Sequence, residues 1–443
     1  MDIRQLIDTT RMSGYQWFII LIAAFINALD GYDLVAMAFS SNAVVEEFGL
    51  SGAQLGWLLS SALIGVGIGA FVLAPLADRF GRKRLIVVSL VINIVGLALT
   101  ALSGTYTELL LWRVITGIGI GGILACVTVL TSEFSNLRFR GLAMSIYASG
   151  YGLGATLCGI LAANLIPEHG WHAVFTSGAI LSTIALVVTI VLVPETPEAL
   201  AARGEDEKVQ ALARRLGKTT ADQTVTVSAR DTADKVRVAE VLTPQFLRTT
   251  LLLWLAFALV TFAFNYANQW TPRLLTAEGL TAQQGVLGGI MLSFGGTIGS
   301  LIFGVFTTRV RARTVLIGFA LLSAVVLVVF ISSTAIPGLM FATGIAVGML
   351  LNGCVTGMYT ITPASYPFRL RATGMGTALG ISRIGAILGP VLVGYLVDAG
   401  WTPSALYNGA AAVMVLIALT VFFLRRGGVE AENSIPATVN RNS

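Results

Sequence analysis

Two acidic residues stand inside a long apolar stretch near the start of the chain, in the sequence Asp30-Gly31-Tyr32-Asp33. Their spacing of three places both carboxylates on one face of a helix. Two carboxylates this close in a medium of low dielectric constant disfavour double ionisation, so we expect one of them to carry a proton. A fixed ion pair with a buried cation is the alternative. Gly31 between them is expected to let the helix bend or unwind.

Two arginines also lie in apolar stretches, where a charge needs a partner or a task. Arg113 is close in depth to Asp33, which favours an ion pair between Arg113 and one of the acids and leaves the other acid free to titrate. Arg383 has no acid of the second half of the chain at its depth. A guanidinium without a fixed partner can bind a carboxylate substrate through two parallel N–H bonds. Pairing with another group, or a role in gating, is the alternative for Arg383.

The segments that hold these charges are apolar almost throughout. Of the 443 residues, 55% are hydrophobic and only 12% are Asp, Glu, Lys or Arg. Soluble domains carry about 25% charged residues, so a soluble multidomain enzyme and a disordered chain are both excluded. The mean hydropathy of +0.82 indicates a chain whose main solvent is lipid.

Twelve apolar runs are long enough to cross a bilayer, which takes roughly 20 helical residues each. The predicted fold class is therefore an all-α membrane protein with twelve transmembrane helices. The predicted spans are 17–39, 54–77, 84–103, 108–131, 141–165, 173–193, 249–270, 284–307, 314–333, 338–362, 372–397 and 404–424.

The distribution of Lys and Arg predicts the orientation of these spans. With the N-terminus in the cytoplasm, 25 of the 28 Lys and Arg residues lie in the termini or in cytoplasmic loops. The exceptions are Arg113 and Arg383 inside helices and Arg273 in an outer loop. Positive charge is concentrated on the cytoplasmic side of membrane proteins, so both termini are expected there. The net charge of +5 is explained by this topology, and no nucleic acid partner is expected.

An offset of about 231 residues aligns the two halves of the chain, so that 138–141 (RFRG) matches 369–372 (RLRA). Two parallel six-helix repeats imply a two-fold axis along the membrane normal and a site between the halves near the midplane. We predict a first half over 1–194, a cytoplasmic linker over 195–248, a second half over 249–425 and a cytoplasmic tail over 426–443. The linker is too short to form a catalytic core of its own.

The loop between the second and third spans reads DRFGRKR at 78–84. It resembles the loop motif G-x-x-x-D-R-x-G-R-K of the major facilitator superfamily, with Ala74 in place of the first glycine. In that family the loop and an acid at the inner end of the fourth span close the cytoplasmic gate; anchoring of the topology alone is the alternative. The resemblance implies a gate formed by Asp78, Arg79, Gly81, Arg82 and Glu133.

Within that superfamily the chain resembles the aromatic acid:proton symporters. The motifs that carry the resemblance are DGYD at 30–33, PETP at 194–197 and YPFRLRATGMG at 366–376, which leads to Arg383. The resemblance implies proton coupling through Asp30 and Asp33 and a role for Arg383 in transport. It also implies import of a benzoate, hydroxybenzoate, protocatechuate or gentisate across a bacterial inner membrane by a monomer, with no enzymatic activity, metal or cofactor.

Further polar and aromatic residues of the spans could hydrogen-bond or stack an aromatic ring and are candidates for the substrate site beside Arg383, although hydrogen bonding between helices explains them equally well. These candidates are Arg113, Tyr32, Asn265, Tyr266, Asn352 and Tyr359.

Three other functions fit part of the sequence. A sugar, polyol or other organic-anion symporter shares the loop motif, but the glutamine-rich seventh span of sugar porters is missing. A drug exporter would carry Gly-Pro in span five, whereas here Gly389-Pro390 lies in span eleven. A ligand-sensing receptor is the third alternative, but the predicted cytoplasmic segments are too short for signalling.

Overall fold

The computed structural model describes residues 3–196, 205–216 and 238–424, together with Leu200. Twelve helices in these ranges are long and apolar enough to cross a membrane, as predicted. After a short helix α1 (Ile3–Thr9), the first six are α2 (Gly14–Phe48), α3 (Gly52–Phe80), α4 (Arg82–Ala101), α5 (Tyr106–Phe134), α6 (Arg140–His169) and α7 (His172–Leu192). After α8 (Asp206–Arg215), the second six are α9 (Leu247–Ala277), α10 (Ala282–Thr307), α11 (Ala312–Ser332), α12 (Pro337–Ala364), α13 (Arg371–Asp398) and α14 (Pro403–Phe422).

Most of these helices are longer than the apolar runs that predicted them, because polar capping residues define where they begin. Ser13, Ser51 and Thr281 each accept a hydrogen bond from the backbone N–H three residues later, and the glutamine at that position bonds back to the cap residue. Such reciprocal caps satisfy N–H groups that the helix itself leaves unpaired. These three helices therefore begin at polar capping residues.

The same four kinds of helix pair occur in both halves. In the first half α2 packs against α6, α3 against α5, and α4 against both α5 and α7. In the second half α9 packs against α13, α10 against α12, and α11 against both α12 and α14. The two halves that the sequence offset aligns therefore also have the same arrangement of helices.

Glycines bring α2 and α6 into backbone contact. A Cβ atom on Gly31 would lie 1.9 Å from the carbonyl oxygen of Tyr151, and one on Gly154 would lie 1.7 Å from that of Ala28. The helix is continuous from Gly14 to Phe48, so the expectation that it unwinds at Gly31 is wrong for this conformation. The missing side chain serves close packing between the two helices instead.

Hydrogen bonds and close helix packing join the two halves on one side of the molecule. Even numbers of crossings separate α1, α8 and the end of α14, so these three lie on one side, which we call the linker side; the opposite side is the far side. On the far side Gln269 donates to the carbonyl oxygen of Leu34 at 3.1 Å, and Arg273 donates to Asn42 at 2.9 Å. Helices α3 and α13 also meet there along several turns. The two halves are thus closed against each other on the far side.

The connection between the halves is docked at both of its ends. The apolar face of α8 buries Val209 and Leu212 in the core of the first half, and Leu216, directly after the helix, is buried there too. The Arg215 guanidinium lies 4.5 Å from the centre of the Tyr15 ring. At the other end Thr250 donates to the carbonyl oxygen of Val241 at 2.7 Å, which ties a short 3₁₀ turn to α9.

Candidate functional site

Asp33 and Arg113 form an ion pair inside the first half. Arg113 donates to the Asp33 carboxylate with one terminal nitrogen and to its backbone carbonyl oxygen, at 2.8 Å, with the other. Asn93 adds a long hydrogen bond of 3.4 Å to the same carboxylate, and both charged side chains are 1% exposed. The pair between Arg113 and one of the two acids therefore forms, and the acid is Asp33.

Asp30 occupies a different environment one turn earlier on the same helix. Its side chain is buried, and its Oδ1 atom has no hydrogen-bond partner. Its strongest charged neighbour is Arg383 on α13, in the other half, whereas Asp33 is a weaker one. Within the described residues the Arg383 guanidinium forms no direct ion pair or hydrogen bond. Asp30 and Arg383, one from each half, are therefore neighbours of opposite charge with no ion pair or hydrogen bond between them.

Three tyrosines surround these two charges. Tyr151 on α6 lies within electrostatic range of both Asp30 and Arg383, and Tyr147, one turn earlier, lies within that range of Asp30. Tyr359 on α12 lies within electrostatic range of Arg383. The three rings and two charges form one cluster that draws on both halves, which is where an amphipathic ring with an anionic group could bind.

Tyr359 forms an exposed edge of this cluster. It is 48% exposed, whereas Asp30 is buried and Arg383 is half-buried. Its ring meets that of Phe257 edge-on, with 5.4 Å between the ring centres. Tyr359 lies within the last two turns of α12, near the linker side.

Two of the predicted site tyrosines are buried among residues of their own half. The Tyr32 hydroxyl bonds with the carbonyl oxygen of Val174 and with Ser177, at 2.8 and 2.7 Å. Tyr266 packs against Tyr407, and its hydroxyl has no partner. Like Arg113, these side chains support the helices around the cluster and do not share its exposed wall.

The two predicted asparagines make hydrogen bonds of the kind that joins helices. Asn352 donates to the carbonyl oxygen of Gly296 at 2.5 Å and to Ser300 at 3.2 Å, which links α12 to α10. Asn265 donates to the carbonyl oxygen of Thr261 in its own helix at 2.9 Å. Both are half-buried, so their amide oxygens remain the groups that a ligand could reach.

The predicted gate residues are only partly described. Arg82, at the start of α4, forms an ion pair with Glu133, near the end of α5. Gly81 has a φ of 92°, a conformation that favours glycine and permits the sharp turn between α3 and α4. The side chains of Asp78 and Arg79 lie outside the described part of the structure.

Sequence reasoning missed Tyr147 and Tyr151, although a signal was available. The repeat offset pairs Arg383 with Gly152, so the fifth span has to face the same central space as the eleventh. Tyr147 and Tyr151 stand four residues apart beside Gly152, which places both rings on one helix face. The repeat therefore marks these two aromatics as neighbours of Arg383.

Comparisons with known proteins agree with this architecture. The profile described as Major Facilitator Superfamily matches residues 18–304 and 281–441. The chain is 31% identical to a gallate transporter of Pseudomonas putida over 90% of each chain. It is 29% identical to the 4-hydroxybenzoate transporter PcaK of Acinetobacter baylyi over 95% of this chain and 94% of that one. A crystal structure of a D-xylose–proton symporter shares the fold with a TM-score of 0.75 at 18% identity, covering 94% of this chain and 99% of that one. The chain therefore belongs to the Major Facilitator Superfamily.

Proposed function

We propose that this protein imports an aromatic carboxylate together with a proton, by alternating access between its two halves. The observation that carries the proposal is the juxtaposition of Asp30 and Arg383 across the two halves, without a direct bond between them. The similarity to gallate and 4-hydroxybenzoate transporters supports an aromatic acid as the substrate.

Arg383 binds the substrate carboxylate in this proposal. A planar guanidinium with free donors matches the two oxygens of a carboxylate, and a bidentate pair fixes the orientation of the ligand. The aromatic ring then lies against Tyr359 and Phe257, whose edge-on contact leaves part of the Tyr359 ring accessible. Edge-to-face and offset stacking of rings favour an aromatic ligand over an aliphatic one.

Asp30 carries the proton, and Asp33 does not. Asp33 is bonded directly to Arg113, whereas the charge on Asp30 is balanced mainly by Arg383, to which it is not bonded. When the substrate carboxylate occupies Arg383, Asp30 loses that balancing charge and takes up a proton. When the substrate leaves, Arg383 again favours the ionised form of Asp30 and the proton is released. Tyr147, Tyr151 and Asp33 are the other titratable groups that face Asp30.

The linker side faces the cytoplasm in this proposal. The 25 Lys and Arg residues that belong to this side by the predicted topology support that orientation. The cluster is then open to the cytoplasm, the state in which substrate and proton are released. We assign Arg82 and Glu133, with Gly81, Asp78 and Arg79, to the gate that closes this side. One chain supplies every residue of the cluster, which supports a working monomer.

Uptake by membrane vesicles tests the proposal. Vesicles with an inward proton gradient are offered labelled 4-hydroxybenzoate, gallate, benzoate and, as a non-aromatic comparison, xylose. We expect concentrative uptake of at least one aromatic acid, its loss when the gradient is dissipated, and no uptake of xylose. Arg383→Lys keeps the charge but not the planar fork, and should weaken apparent affinity at least tenfold. Arg309→Lys, at an exposed arginine, is the matched control. If the uptake of every acid tested were the same with and without the proton gradient, the proposal would be overturned.

A further inference from the structure

The far side of the molecule holds a hydrogen-bonded contact between an acid of one half and a helix end of the other. Asp398, the last residue of α13, accepts hydrogen bonds from the backbone N–H groups of Gly52 and Ala53, at 2.6 and 2.8 Å. Gly52 and Ala53 are the first two residues of α3. The carboxylate thus sits where the partial positive charge of a helix N-terminus favours an anion.

Helix α3 is therefore capped partly by its own half and partly by the other. Ser51 accepts from the backbone N–H of Gln54, and the first bond inside the helix runs from Leu55 to the Ser51 carbonyl oxygen at 3.0 Å. The N–H groups of Gly52 and Ala53 have no partner within α3, because the first turn of a helix leaves them unpaired. Asp398, in the second half, supplies the hydrogen-bond acceptor that the first half lacks for these two N–H groups.

Helices α3 and α13, which carry these hydrogen bonds, pack closely on the far side. A Cβ atom on Gly394 would lie 2.2 Å from the carbonyl oxygen of Gly52, and one on Gly56 would lie 2.6 Å from that of Pro390. Ser60, two turns after Gly52, donates to the carbonyl oxygen of Ile387 at 2.8 Å. The hydrogen bonds of Asp398 lie at the far-side end of this row of contacts.

The two-fold relation between the halves predicts a second contact of this kind, between the end of α6 and the start of α10. Glu168 is the acid near the end of α6, and it is 78% exposed beside His169. Helix α10 is capped by its own Thr281. In the described part of the chain no side chain of the first half bonds to the first N–H groups of α10. Of the two positions related by the two-fold axis, the start of α3 is therefore capped by an acid of the other half and the start of α10 is not.

We propose that Asp398 is a latch that holds the far side closed while the substrate site is open on the linker side. Its two hydrogen bonds exist only while the start of α3 and the end of α13 touch, and they must break before the cluster can open to the far side. Water then replaces the carboxylate on Gly52 and Ala53, so the latch biases the equilibrium between the two states. This inference rests on the alternating access of the proposed function, but not on its cargo or on its proton.

Spin-label distances across the far side test the latch without any substrate. The labels are placed on Leu102→Cys in the first half and Ser404→Cys in the second, both exposed on the far side, with the three native cysteines replaced by alanine. In this background Asp398→Ala should raise the ratio of far-side-open to far-side-closed molecules by about 2- to 30-fold, the range that loss of a helix cap predicts. Asp398→Asn, which keeps one acceptor but no charge, should have a smaller effect in the same direction.

Glu168→Gln is the matched control, because it removes the acid at the two-fold-related position and should leave the distances unchanged. Asp398→Glu keeps the carboxylate and should restore part of the closed population, which separates a latch from a loss of folding. Distances in Asp398→Ala and Asp398→Asn that equal those of the parent protein would overturn the inference. So would an equal shift in Glu168→Gln. The substrate and proton dependence of uptake is measured separately, so a failed proposal for the cargo would not be mistaken for a failed latch.

Discussion

The Arg113 guanidinium donates to both the carboxylate and the backbone carbonyl oxygen of Asp33, and both side chains are almost fully buried. One helical turn away, Asp30 keeps a carboxylate oxygen without any hydrogen-bond partner. The two acids of a single four-residue motif are therefore in unlike environments. One is suited to hold helices together and the other to exchange partners.

The buried pair gives a prediction about stability. Asp33→Leu or Arg113→Met alone leaves an uncompensated buried charge and should cost about 3–5 kcal/mol of unfolding free energy. The double variant removes both charges and should cost clearly less than the sum. Thermal unfolding of the detergent-purified proteins measures this difference. Additive losses would show that the two side chains stabilise the protein independently.

Asp30→Asn should separate exchange from accumulation. The amide cannot carry the proton, so uptake driven by a pH gradient should fall to the equilibrium level. Exchange of labelled for unlabelled substrate should persist, because Arg383 and the tyrosines remain. Both are measured in the same proteoliposomes, with Glu278→Gln at an exposed acid as the control. Full accumulation by Asp30→Asn would remove Asp30 from the coupling step.

Gly31→Ala should damage the first half although the change is one methyl group. Its Cβ would lie 1.9 Å from a backbone oxygen of Tyr151, so α2 and α6 must move apart. Overpacking of this kind costs about 1–3 kcal/mol, and it shifts Asp30 relative to Tyr151 as well. Gly67→Ala is the control, because nothing lies within 4 Å of a Cβ at that position. We expect a lower melting temperature and lower uptake for Gly31→Ala alone; equal melting temperatures would contradict the packing argument.

Tyr359 should act through its ring. Tyr359→Phe keeps the edge-on contact with Phe257 and should change apparent substrate affinity less than threefold. Tyr359→Leu removes the aromatic surface and should weaken affinity by about 1 kcal/mol, or roughly fivefold, the scale of one aromatic pair. The concentration dependence of uptake distinguishes the two variants. If Tyr359→Phe were the more harmful change, the hydroxyl and not the ring would be the binding group.

The membrane helices were predictable because the bilayer imposes a length and a polarity on each of them. All twelve predicted spans lie on observed helices, and the differences are confined to the ends, such as 17–39 against Gly14–Phe48. Those ends depend on caps such as Ser13 and Gln16, whose side-chain bonds a hydropathy pattern does not register. An ion pair between Arg113 and one of the two acids also followed from depth alone, and the structure identifies the acid as Asp33.

Contacts between the halves were not predictable in the same way. The second half offers Arg383 no acid at its depth, whereas Asp30, whose strongest charged neighbour is Arg383, stands in the first half. The bonds from Asp398 to Gly52 and Ala53 join residues 346 and 345 positions apart. Depth in the membrane can be read from a sequence, but which helices face each other depends on packing that involves the whole bundle.

The docking of α8 on the first half and of the 3₁₀ turn at Val238–Leu242 on the second has a mechanical consequence. Each docked element moves with the half that it contacts, so neither α8 nor the 3₁₀ turn bridges the two halves. The range of relative motion is therefore set by the surfaces at which the halves meet, such as the contact between α3 and α13 on the far side.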